Sequence, residues 1–202
     1  MSLTISGLVY LFSDMFVEGA RLLGEEVPCK DIKVKQNKLA VMLVTAALTW
    51  LYKNGHVEVS MGKRSKLLGL RKLDTIALRK GGKPSLPSKS LEMIFWNKLK
   101  NDDDLFKATS RLIGRKTKVP VAIILNIVKD YLVDEGYFNK KKRMMILTKY
   151  VPECERIKET EKNVDEAKEL LSSIEGEELR IYNQIQKDVE AGINNMTEVD
   201  DE

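Results

Sequence analysis

Lys38 to Val59 reads KLAVMLVTAALTWLYKNGHVEV, and the fold follows from how this stretch is read. Between Lys38 and Lys53 the apolar residues Leu39, Val41, Met42, Leu43, Val44, Ala46, Ala47, Leu48, Trp50 and Leu51 leave almost no polar face. A helix that is apolar nearly all round belongs in a core, not on a surface. Asn37 stands where a side chain can accept from the free amides of the first turn. Asn54-Gly55 supplies residues tolerant of positive φ at the other end. His56-Val57-Glu58-Val59 then alternates as a strand does, and Met61-Gly62-Lys63-Arg64 reads as a turn. Leu67, Leu68 and Leu70, with Thr75 to Leu78, are the candidates for the return strand of a short basic β-hairpin.

The chain repeats this unit further on. Trp50-Leu51-Tyr52-Lys53-Asn54-Gly55-His56-Val57 lines up with Tyr131-Leu132-Val133-Asp134-Glu135-Gly136-Tyr137-Phe138. In both, an apolar helix ends in an aromatic-Leu step, meets a glycine and enters a strand. The second basic turn is Lys140-Lys141-Lys142-Arg143, with Met144 to Leu147 returning. Between the two units, Gly81 to Ser88 is a Gly-Pro-rich loop. Helices are expected from Ser90, from the acidic start Asn101 to Asp104, and from Val119 to Asp134 with Pro120 in its first turn.

At the N-terminus, Leu3 to Val17 reads as an amphipathic helix with Leu8, Leu11, Phe12, Met15 and Phe16 on one face. No basic residue precedes it and Asp14 interrupts it, unlike a signal core, and it is well short of the roughly 20 residues a spanning helix needs. From Glu153 the chain reads as charged helices with an apolar stripe, broken near Gly176. The expected class is therefore mainly α, with buried central helices, peripheral amphipathic helices and two short basic β-hairpins. The expected divisions are an N-terminal amphipathic helix at 1–29, a basic helical core at 30–152, acidic C-terminal helices at 153–193 and a disordered tail at 194–202.

Charge follows the same divisions. Residues 30–150 hold 27 Lys and Arg against 10 Asp and Glu, a net +17 inside a chain whose total is only +4. The first 29 residues carry −3 and the stretch from Val151 onward −10. A body with that excess attracts phosphate-bearing polymers or anionic lipid before neutral metabolites. The acidic helices are expected to fold back on it or to assemble copies into a homo-oligomer.

Nothing reads as catalytic. Gly81-Gly82-Lys83-Pro84 lacks the spacing of a nucleotide cradle, and no nucleophile turn is present. Asp102-Asp103-Asp104 point apart on a helix start and read as capping. Cys29 and Cys154 are far apart in sequence and read as two reduced thiols in a cytoplasmic protein. His56 is the only histidine, so neither a zinc site nor any other cofactor is expected. The candidate anion-binding residues are instead Lys63, Arg64, Lys66, Arg71 and Lys72 at the first hairpin, Arg111, Arg115 and Lys116 before the second apolar helix, and Lys140, Lys141, Lys142 and Arg143 at the second.

Two resemblances follow from these residues. Leu132-Val133-Asp134-Glu135-Gly136-Tyr137-Phe138 through Ile146-Leu147-Thr148, preceded by three helices, resembles a winged helix, which implies DNA or RNA as partner. Its third helix, however, offers only Asn126 to base edges, so contact would come from the wing and phosphates. The order of parts from Asn37 to Leu171 is similar to the Golgi phosphoprotein family of peripheral membrane proteins. It runs from a buried helix through Leu51 to Gly55, a basic hairpin, a Gly-Pro loop and a second helix ending Tyr131 to Gly136, to a Tyr150-Val151-Pro152 entry to a charged helix. That resemblance implies docking on phosphoinositide headgroups. Where the phosphoinositide-binding members carry arginines on the two buried helices, this chain has Val44, Ile123 and Asn126, so what carries over is attraction to anionic phospholipid in general. The expected function is a non-enzymatic peripheral protein whose basic hairpins dock on anionic membrane. Leu67 and Leu68, or the N-terminal helix, would supply any apolar insertion.

Overall fold

The computed structural model describes residues 3–66, 71–143, 147–172 and 177–197. At its centre are two helices. The first, α1 (Ile5–Leu11), is buried at every residue, and the second, α2 (Gln36–Lys53), is buried on most of its surface. α2 starts a little before the expected cap: Lys35 is the N-cap residue and Asn37 lies inside the helix. α1 stops at Leu11 and gives way to a short 3-10 turn, Ser13–Met15. It therefore keeps no face for a membrane interface.

The reason α1 can be buried on all sides is local. A Cβ added at Gly7 would stand 2.6 Å from Leu3 Cδ2 and 3.1 Å from Tyr131 Cε1, so neighbours close over the glycine. Its first-turn amides are answered locally and from afar: Thr4 Oγ1 accepts from Gly7 N at 3.4 Å. Glu92, on α3 (Leu91–Lys98), accepts from Ser6 N at 2.8 Å and from Ser6 Oγ at 3.0 Å.

Three small antiparallel sheets surround this core. β1 (Glu25–Glu26) pairs with β2 (Lys33–Val34). The first hairpin is β3 (Val57–Lys66) and β4 (Arg71–Lys80), extended by β5 (Asp103–Asp104) along β4. The second is β6 (Phe138–Arg143) and β7 (Leu147–Pro152). The expectation of a mainly α chain with two short hairpins is thus corrected to a mixed α/β fold. The first hairpin is ten residues long on each side, and two further pairings involve Glu25-Glu26 and Asp103-Asp104. Acidic dipeptides have low strand propensity, and only a neighbouring strand makes them extended.

The turns also move. Met61 to Arg64 lies within β3, and Lys140 to Arg143 is β6 itself. Leu67, Leu68, Leu70 and Met144 to Ile146, read as parts of return strands, lie outside the described residues, as does the Gly176 break.

Helices close the remaining faces. α4 (Leu105–Ile113) follows β5, with Asp104 as its cap accepting from Lys107 N at 2.8 Å. α5 (Pro120–Asp134) has Pro at its first position and leads into β6. α6 (Cys154–Thr160) and α7 (Val164–Ser172) follow β7, and α7 packs on α1 and α2.

The last helix, α8 (Glu177–Asn195), folds back across α4, α2 and β4. Its acidic residues meet the basic body: Glu178 pairs with Lys53 at 2.8 Å and Glu190 with Lys38 at 3.5 Å. Buried Asp188 accepts from Ile76 N at 2.6 Å and Thr75 Oγ1 at 2.9 Å, which covers part of the β4 edge. α8 runs to Asn195, and Thr117 N donates to the Met196 carbonyl at 2.9 Å.

The cysteines are not two separate thiols. Cys29 and Cys154 form a disulfide across 125 residues, with Cα atoms 5.6 Å apart. Sequence distance concealed a spatial neighbour: Cys29 sits in a turn at φ 61° and Cys154 opens α6 just after β7.

Candidate functional site

The strand registers fix what each basic residue meets. On the first hairpin Lys63 lies opposite Asp74 and forms an ion pair with it. That hydrogen bond, together with the lysine's charge, holds the Asp74 carboxyl below its ordinary range. Arg64 turns inward, its guanidinium carbon 3.8 Å from the centre of the Phe106 ring, and its Nε is buried. Lys66 and Arg71 are register partners at the last rung, and Lys72, opposite Ser65, is exposed.

On the second hairpin Lys140 reaches back to Asp130 at 2.8 Å, where the Tyr150 hydroxyl also donates at 2.8 Å. The Asp130 hydrogen bond pushes the Lys140 ammonium pKa up. Lys141 points away and lies directly opposite Lys149, and both are exposed. Like charges facing each other across a ladder destabilise it unless something neutralises them. Lys142 pairs with Thr148 in the register and Arg143 with Leu147.

The third group divides. Arg111 forms an ion pair with Asp103 and donates to the Lys98 carbonyl at 3.3 Å, and partial burial pulls its guanidinium pKa down. It is a structural strut between α4 and β5. Arg115 and Lys116 follow Gly114 at φ 93° and are exposed, with no hydrogen bond or ion pair among the described residues.

Internal partners therefore hold Lys63, Arg64, Arg111 and Lys140. Lys72, Arg115, Lys116 and Lys141 face solvent.

Sequence reasoning missed a cleft of about 690 Å³ between the β1–β2 segment and the second hairpin. On its floor Glu25 accepts from the Tyr10 hydroxyl at 2.6 Å and pairs with Lys129 at 2.5 Å. The Lys129 ammonium lies 5.4 Å from the Tyr150 ring centre and 6.0 Å from that of Tyr10. Burial, and then the Glu25 charge, push the Tyr10 phenol well up, so it stays a proton donor. Lys129 and Glu25 satisfy one another, so this network braces the hairpin and presents no free nucleophile or base. Lys129 and Tyr10 look like ordinary helix residues in sequence. The pairing of Glu25 with a lysine from a distant helix left no local signal.

A second open groove is lined by Glu153, Glu155 and Glu159 against Arg156 and Lys162, a net acidic lining that does not favour an anion. His56 Nδ1 is 3.0 Å from the Gly82 carbonyl and its ring stacks on Trp50. Among the described residues no group of three or more His, Cys, Asp or Glu is placed to hold a metal ion, and no helix is long and apolar enough to cross a membrane. The chain matches no family model, and the comparisons with curated proteins and solved structures found no match.

Proposed function

We propose that this chain is a non-enzymatic peripheral binding protein whose basic hairpins dock on anionic phospholipid surfaces of the phosphoinositide-like kind, as the Golgi phosphoprotein-like order of its parts implies. One observation carries the reading. On each hairpin the outermost carboxylate partner is already taken, Asp74 by Lys63 and Asp130 by Lys140. Beyond them, Arg64 to Leu73 and Lys141 to Lys149 contain basic residues and no Asp or Glu. Each such Lys or Arg contributes roughly 1 kcal/mol near an anionic bilayer. The mode is peripheral. The cytoplasmic placement rested on reduced thiols, and the Cys29–Cys154 bond removes that ground.

Support for lipid over nucleic acid comes from α5, which a winged-helix reading would make the recognition helix. Ile124, Leu125, Val128 and Leu132 are buried, Lys129 is committed to Glu25, and the exposed polar residues are Asn126 and the acidic Asp134, which pairs with Lys89. Such a helix has little with which to read base edges.

Co-sedimentation with vesicles containing or lacking anionic lipid, at physiological salt and with duplex DNA as competitor, tests the proposal. Binding restricted to anionic vesicles and resistant to DNA is expected. No vesicle binding, or complete displacement by DNA, would overturn it in favour of the nucleic-acid reading.

A further inference from the structure

Leu22 and Leu23 are 85% and 92% exposed, side by side, in a protein whose other leucines mostly line the core. Backbone contacts hold the base of the segment that carries them. Ala20 N donates to the Lys33 carbonyl at 2.7 Å, Gly19 bridges to Val34, and Val27 N donates to the Ile32 carbonyl at 2.9 Å. A Cβ at Gly24 would stand 2.6 Å from the Val34 carbonyl oxygen, so the chain is pressed against β2 directly after the two leucines. The turn therefore projects both side chains from a fixed base. Arg21 and Lys33 flank them, exposed and without a side-chain hydrogen bond or ion pair among the described residues. Ile32, next to Lys33 in the chain, is 45% exposed.

The same segment borders the second hairpin. Gly24, Glu25 and Glu26 line one side of the cleft, and Lys149 and Tyr150 the other. Lys149 is the residue that faces Lys141. Cys29, also in the cleft wall, is bonded to Cys154, two residues beyond the end of β7. The apolar turn and the unneutralised lysines are thus joined by a shared cleft and by a covalent bond.

We propose that Arg21-Leu22-Leu23-Gly24 is an apolar anchor that enters the interfacial region of an anionic membrane beside the lysines of the second hairpin. This rests on the membrane reading above and names the part of the chain that penetrates. Lipid fits better than a protein partner. A specific protein interface covers on the order of 800 Å² on each side, far more than two leucines offer. A small apolar insertion joined to a basic cluster is the two-signal arrangement that holds a peripheral protein on anionic bilayers. It also replaces the N-terminal helix as a source of insertion, since α1 is buried throughout.

The test uses the full disulfide-bonded chain, with vesicles of phosphatidylcholine alone or with phosphatidylserine, each also prepared with brominated acyl chains. Leu22→Ser combined with Leu23→Ser is expected to weaken partition into phosphatidylserine vesicles roughly tenfold or more, the scale set by transferring leucine side chains from water. The indole introduced by Leu23→Trp is expected to shift to the blue and to be quenched by brominated lipid, above the background of Trp50 and Trp96 in the parent protein. If the parent binds anionic vesicles but the double serine variant binds equally well, or the new indole is not quenched, the anchor is wrong and the docking function stands. If the parent binds neither vesicle, both fall. Quenching with equal binding to phosphatidylcholine alone would keep the anchor and remove the requirement for anionic lipid. Loss of self-association in the serine variant without loss of vesicle binding would assign the leucines to a second copy and overturn the proposal.

Discussion

Lys63 and Lys141 hold similar places on their hairpins and differ in what stands opposite: Asp74 for the first, Lys149 for the second. A neutralised lysine adds little to an external field, whereas an unneutralised one adds its whole charge. Lys141→Ala is therefore expected to weaken binding to anionic vesicles about fivefold, the equivalent of roughly 1 kcal/mol per cation. Removing Lys63 and Asp74 together should leave binding unchanged, and a vesicle titration of the two variants decides it. Glu92 shows the opposite situation, a carboxyl with no cation beside it. Burial raises its pKa above the ordinary 4.5, outweighing the Ser6 hydrogen bonds that favour the charged form. The folded protein thus keeps this proton to higher pH than the unfolded chain does. The stability it contributes is full below the unfolded value and is lost as pH rises through the folded one. Glu92→Gln should flatten the stability profile on the alkaline side of the ordinary glutamate range, read from urea midpoints. Glu92→Ala, by leaving the buried Ser6 amide unpaired, should cost about 1–3 kcal/mol at fixed pH.

Among the elements, those set by local pattern were readable and those set by a distant neighbour were not. α2 and α5 announce themselves by apolar density, Ser90 by its capping position, where it accepts from Met93 N at 3.2 Å, and Pro120 by starting α5. The hairpins were legible as hairpins, but their length was not. β3 runs on through Gly62-Lys63-Arg64 because β4 pairs with it and because α8 covers part of the β4 edge. β5 exists only because Ala77 and Leu78 lie beside Asp104 and Asp103. The candidate site divides in the same way. The density of Lys and Arg was visible, while the carboxylates that cancel Lys63, Arg111 and Lys140 come from the partner strand β4, the edge strand β5 and the helix α5. Gly192 marks one of these long-range meetings, where α8 crosses α4. A Cβ there would lie 2.8 Å from Thr109 Cβ and 2.9 Å from the Phe106 carbonyl oxygen, and a helix backbone cannot yield as a flexible side chain can. Gly192→Ala, normally favourable in a helix, is expected to destabilise the protein by about 1–3 kcal/mol in chemical denaturation, as overpacking does.

At the scale of the whole molecule, one covalent bond encloses the charge. The loop closed by Cys29 and Cys154 spans nearly the same interval that carries the +17 excess. In the folded state that excess is offset in part by the acidic helix lying across it, with Glu178 on Lys53 and Glu190 on Lys38. The unfolded chain loses those pairings. If it is still cross-linked, its basic segment is held in a closed loop that cannot expand freely. The cross-link therefore raises the free energy of the unfolded state in two ways, by removing loop entropy and by confining like charges. Reduction, or Cys29→Ser, is expected to lower the unfolding free energy by about 2–4 kcal/mol. Urea midpoints with and without reductant measure it. The entropic part does not depend on salt, but the repulsion is screened over about 10 Å at 0.1 M ionic strength and over about 30 Å at 0.01 M. The gap between oxidised and reduced midpoints should consequently widen as salt is lowered. A gap that stays constant from 0.01 to 0.5 M, a range chosen to span roughly that screening, would mean that the bond acts through chain entropy alone.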